Sequence, residues 1–211
     1  MNSQNALLGV AAIVLIVAAL SMGFTYYSIA SFKQGLLTGN AVANGTIYIN
    51  ITSSAAINFT NSIINWSNGT LTSGASYALL STSGPNYVVN GTWVPVTNGF
   101  TIDNIGNVNL SINIRSGKTN ASFIGGTGPI YKYNVTNIET GSCVASPGFT
   151  LGQFYDVNTT GVGTPVCGNL SYVDTRDSIR IDIMLGIPYD APATSSLLTD
   201  QIQVTASQSA T

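Results

Sequence analysis

The chain has 211 residues, 7% of them charged and 45% apolar, with six Lys+Arg, eight Asp+Glu, no His and a formal charge of −2. So few basic groups exclude a surface that neutralises a phosphate backbone, and hence nucleic acid as a partner. The absence of His, with Glu139 as the one glutamate, removes nucleophile–His catalysis and most general bases, so no enzyme and no small-molecule substrate is expected.

The first element is hydrophobic. Ala6–Leu20 is an apolar run, and Ala6–Phe24 as a helix would be about 28 Å long, close to the roughly 30 Å of a hydrocarbon core. Met22, Tyr26, Ile29, Phe32 and Leu36 continue one helical stripe, with no proline before Gly39. The pattern predicts one long hydrophobic helix of about 32 residues within a first domain, residues 1–38. Tyr26 and Tyr27 stand where an aromatic belt would lie, with Lys33 just outside it. A cleaved signal peptide would need a basic leader, and the first basic residue is Lys33. Apolarity on every side requires burial in lipid or among copies of the same helix. Gly9, Ala12, Ala19 and Gly23 would let backbones approach closely in such a bundle.

Residues 39–211 form the second expected domain, and there the period becomes two. Thr46–Thr52, Asn107–Ile114, Tyr131–Val135, Ser178–Ile187 and Ile202–Ala206 alternate apolar with polar side chains between Gly/Asn/Ser/Pro turns. They read as antiparallel strands of a β-sandwich. The fold class expected is α+β, a long N-terminal hydrophobic helix followed by an immunoglobulin-like antiparallel sandwich.

Ser, Thr and Asn replace charged residues on this second domain, and eleven Asn-x-Ser/Thr triplets run through it. They begin at Asn44, Asn50, Asn58, Asn65, Asn68, Asn90, Asn109, Asn120, Asn134, Asn158 and Asn169. Chance would give roughly five for this composition. Asn50, Asn58, Asn109 and Asn134 lie on the polar parity of their strands, where a glycan would project away from the core, so N-linked glycans are the only attached groups expected. The two cysteines, Cys143 and Cys167, are expected to form one disulfide in an exported chain. Without His or a third Cys they make a poor metal site, and no cofactor is expected. Gly125–Pro129 lacks the Lys-Ser/Thr of a phosphate loop and reads as a turn. Asp174, Asp177 and Asp156–Asn158 are turn or capping residues ahead of calcium ligands, with Arg176 and Arg180 near enough to pair with them. Trp66, Tyr87 and Trp93 read as core or subunit-contact residues ahead of a sugar-binding face.

A long apolar helix over Ala6–Phe32 carrying a β head resembles archaeal type IV pilins and archaellins, although Asn5 stands where bacterial pilins carry Glu. Ile187–Ala193 followed by Gln201–Ala206 is similar to the closing strands of immunoglobulin-like surface proteins of small-genome archaea. The resemblance implies a structural subunit of an extracellular filament, inserted in the membrane before assembly and partnered by copies of itself through the helix. The alternative is a monomeric cell-surface glycoprotein held by a single transmembrane helix, with an adhesin as one form of it.

Overall fold

The computed structural model describes residues 12–27, 49–85, 87–194 and 196–210. The chain falls into two units, Met1–Asn50 and Ile51–Thr211. The expected boundary at residues 38/39, Gly9 and Asn44 lie outside the described residues.

Helix α1 covers residues 12–27. Two of its hydroxyls bond within the helix: Ser21 Oγ donates to the Ala18 carbonyl at 2.9 Å and Thr25 Oγ1 to the Ser21 carbonyl at 2.7 Å. The long hydrophobic helix expected from the sequence is corrected here. Among the described residues no helix is long and apolar enough to cross a membrane. The described helix has 16 residues, and Ile29, Phe32 and Leu36, on which the continuing stripe rested, lie outside the described residues.

The second unit is built of strands. In chain order they are β1 (Ile57–Asn61), β2 (Tyr77–Ser81), β3 (Val88–Val89), β4 (Phe100–Asn104) and β5 (Leu110–Ser116). There follow β6 (Ile130–Asn137), β7 (Cys143–Ala145), β8 (Tyr155–Asp156), β9 (Thr164–Leu170), β10 (Ser178–Pro188) and β11 (Ile202–Gln208). One helical turn, α2 (Asn120–Phe123), is closed by a capping box between Thr119 and Ser122.

The strands make two curled sheets. The first has seven strands in the order β1-β4-β10-β2-β3, with β6 on the other edge of β10 and β8 beyond β6. The second has four, in the order β11-β5-β9-β7. The longest strand, β10, explains why an immunoglobulin-like sandwich does not form. One of its edges pairs with β6 from Ile179 to Gly186, while the other pairs first with β4 and then, from Met184, with β2. That makes a branched sheet. The segments likened to the closing strands of such sandwiches, which begin at the end of β10 and run into β11, reach strands of different sheets. Glycine suits position 186 within β10, because a Cβ there would overlap the Tyr77 ring and crowd the Ile130 Cβ.

Both sheets feed one apolar cluster. Leu80, Ile102, Tyr133, Ile179 and Ile181 enter it from the first sheet, and Leu110, Ile112, Ile114, Val166 and Leu170 from the second. Full burial of each such aliphatic side chain contributes about 1.5–3 kcal/mol. Four of the five segments read as strands form them. The exception is Thr46–Thr52: its described part, residues 49–52, is not a strand, and Ile49 and Ile51 are 80% and 78% exposed.

Candidate functional site

The most organised polar feature lies where β10 changes partner. Between its β4-paired and β2-paired stretches, Thr82, the residue after β2, carries the β2 register on by one position. Its N–H donates to the Ile183 carbonyl at 3.0 Å, and its Oγ1 accepts the Ile183 N–H at 3.0 Å. The same hydroxyl donates to Asp182 Oδ1 at 2.8 Å. Arg180 closes the node, with Nε 2.8 Å and a terminal nitrogen 2.6 Å from that carboxylate oxygen. The terminal nitrogen also donates to the carbonyls of Thr82 and Thr97. Asp182 is 3% exposed and Thr82 fully buried. From sequence Arg180 is near enough to pair with the loop carboxylates; in the structure its carboxylate partner is Asp182. Arg180 and Asp182 are two apart on one strand and so share a face, which was the signal for the true pair. Asp182 Oδ1 takes all three side-chain bonds, so the node ties β10 to the end of β2 and secures the fold.

The disulfide forms as expected. Cys143 and Cys167 are joined with Cα atoms 5.7 Å apart, both buried, and staple edge strand β7 to β9. The Asn137 amide acts as a further strand partner: its Oδ1 accepts the Cys143 N–H at 3.0 Å and its Nδ2 donates to the Cys143 carbonyl at 3.3 Å. Buried Asn104 does the same between β4 and the end of β9, donating to the carbonyls of Val108, Leu170 and Ser171. Neither asparagine is legible as structural from sequence, since both resemble turn residues.

The acceptor asparagines separate by exposure. Asn50, Asn58, Asn65, Asn68, Asn90 and Asn120 are exposed, and Asn109, Asn158 and Asn169 are half-buried. Asn65 accepts the Ser67 N–H and Asn158 the Thr160 N–H through Oδ1, leaving Nδ2, the atom that would carry a sugar, uncommitted to those turns. Asn120 instead donates through Nδ2 to the Pro129 carbonyl at 3.0 Å. Asn134 is a correction. It is 5% exposed, paired across the sheet with Asp182, and its buried Oδ1 has no partner. A glycan has no room there. Its parity does point away from the apolar core, but that side of the sheet is covered at this point.

Other sequence candidates resolve into structure. Trp93 lies against both Gly69 and Gly91, where added Cβ atoms would overlap its ring, and Trp66 packs against the core. Tyr87 is half-buried beside β3. Gly125, Gly126 and Gly128 have positive φ in a bend, as a turn requires. Asp156 pairs with Lys132 at 3.5 Å. Partial burial, then the nearby carboxylates of Glu139, Asp103 and Asp174, raise the pKa of Asp177, while Ser178 opposes the shift. Among the described residues no group of three His, Cys, Asp or Glu could hold a metal ion. A cleft of about 460 Å³ is lined by Gly117, Lys118, Thr199, Asp200 and Gln201. Its charged ends are occupied: Lys118 donates to the Thr199 carbonyl, and Asp200 accepts from Ser116 and Tyr131. Burial holds the Tyr131 phenol above its ordinary range, so it stays a donor.

On α1, Ala12, Ala19 and Gly23 are exposed and, being seven and four apart, share one face. No protein family, no curated protein and no solved structure matches the chain.

Proposed function

We propose that the chain is a structural subunit of an extracellular filament, polymerising through the segment that contains α1, with the β unit outside and bearing N-linked glycans. One observation carries the reading. Ile13, Val14, Leu15, Ile16, Val17 and Leu20 are between 59% and 71% exposed, and such a run covers every side of a helix. A helix apolar all round is stable only when covered on all sides, which several copies of itself can provide. The small residues Ala12, Ala19 and Gly23 on one face favour close helix contact. A buried disulfide suits an oxidising exterior, and exposed acceptor asparagines supply a solubilising coat where charge is scarce. In this reading the subunit sits in the membrane before assembly, its partners are its own copies, and it performs no catalysis.

The test is the paired substitution Ala12→Phe and Ala19→Phe in the full chain. Overpacking the small face should abolish filaments seen by electron microscopy, while the β unit keeps its disulfide and far-ultraviolet circular dichroism. Normal filaments from the variant, or native protein that is strictly monomeric after mild extraction, would overturn the proposal in favour of a singly anchored surface glycoprotein.

A further inference from the structure

A strand at the edge of a sheet offers unpaired N–H and C=O groups, and proteins usually blunt it by shortness, a bulge or charge. Four outer strands here are blunted. β3 and β8 have two residues each, β7 has three and carries the disulfide, and the pairing of β1 with β4 slips between Phe59 and Asn61. β11 is different. Its seven residues pair with β5 in unbroken register from Ile202↔Ser116 to Gln208↔Leu110. It contains no charge, no proline and no glycine, and among the described residues no strand pairs with its outer side.

The hydrogen-bond parity says which groups face outward. The Ser209 N–H donates to the Asn109 carbonyl at 2.8 Å and the Gly117 N–H to the Gln201 carbonyl at 2.9 Å. Odd-numbered residues of β11 therefore bond to β5, and antiparallel alternation turns the N–H and C=O of Ile202, Val204, Ala206 and Gln208 outward. These four positions are symmetric about Thr205. We propose that β11 pairs antiparallel with β11 of a second copy across a two-fold axis at Thr205, joining their four-stranded sheets into one.

In that register Val204 faces Ala206 and Ile202 faces Gln208, so every outward group meets an outward group. No other centre pairs all four. The occupant follows from charge: β11 has none with which to select an unlike strand, and its own copy brings no like charge against it. Gln203 meets Ser207 and Thr205 meets Thr205 on the exposed face. Ile202, Val204 and Ala206, which pack against the core from the other face, align with their symmetry mates. The pairing goes beyond the filament reading and does not depend on α1.

Thr205→Cys in the full chain tests it. Cys143 and Cys167 are already bonded to each other, so the new thiol is the only free one. Residues facing each other in a non-hydrogen-bonded antiparallel pair have Cα atoms about 4.5 Å apart, within disulfide reach. Mild oxidation should give a linked dimer with a 205–205 peptide, and Thr175→Cys, in an exposed turn, should not. Adding Ala206→Pro removes an outward N–H while sparing the bonds to β5, and should abolish the link. Absence of the 205–205 peptide, as when another segment or another protein covers β11, overturns the proposal. So does a link that survives Ala206→Pro.

Discussion

The two sheets each contain a point where the backbone ladder fails, and they close it with different chemistry. In the seven-stranded sheet the failure lies between the β4-paired and β2-paired stretches of β10, and Thr82, Asp182 and Arg180 fill it with buried hydrogen bonds. In the four-stranded sheet the register slips on both sides of Cys167, against Ile112 in β5 and Ala145 in β7, and there the disulfide sits. Side-chain hydrogen bonds can bridge the two residues, Asp182 and Ile183, that lie between one strand partner and the next. A covalent bond is suited to a slip of one residue, where the strands already lie side by side.

Breaking the first closure should have the largest effect. Asp182→Ala leaves Arg180 facing the Thr82 and Thr97 carbonyls without its carboxylate and takes the acceptor from Thr82. Removing one partner of a buried ion pair costs about 4 kcal/mol. The measurement is the urea midpoint at unchanged slope, and a loss below about 1 kcal/mol would mean that water replaces the carboxylate at the node. Breaking the second closure with Cys143→Ser and Cys167→Ser should cost about 3 kcal/mol by the loop-entropy relation. If that double variant were the less stable of the two, the ranking of the closures would be reversed.

The difference between the sheets also tracks what sequence could reveal. β5 was visible because Leu110, Ile112 and Ile114 are buried and the residues between them half-exposed, a pure period of two. The Cys143–Cys167 pairing was visible because there are no other cysteines. β4 was not, since its inward positions are Phe100, Ile102 and Asn104, and a buried asparagine bonded to three carbonyls reads as a turn residue. The branch at β10 was hidden as well, because alternation specifies two faces and says nothing about how many strands share an edge. Asn134 and the described part of Thr46–Thr52 departed from expectation for related reasons. Parity placed Asn134 opposite the core but could not show that this face is covered, and alternation in residues 49–52 marks β preference with no strand paired to it among the described residues.

The smallest effect sharpens the comparison by moving the same chemistry to the surface. Asp190 follows β10 directly and, like Asp182, accepts from a threonine: Thr127 Oγ1 donates to its Oδ2 at 2.6 Å and the Thr127 N–H to its Oδ1 at 3.0 Å. These bonds favour the carboxylate and hold its pKa below the ordinary 3.8. A depressed pKa contributes stability above the unfolded value that is lost as pH falls through the folded one, so the window lies below 3.8. Asp177 has the opposite sign: its raised pKa means the folded chain binds that proton more tightly, and its unfavourable contribution is relieved as pH falls. Carboxyl titration by NMR should find Asp190 below and Asp177 above 3.8, and Thr127→Val should raise the Asp190 midpoint alone. Because Asp190 is exposed, that change should leave the urea midpoint almost unmoved, whereas Asp182→Ala shifts it strongly. An Asp190 midpoint at or above the ordinary value would show that the turn does not hold its carboxylate in solution, and that threonine–aspartate pairing in this chain matters only where water is excluded.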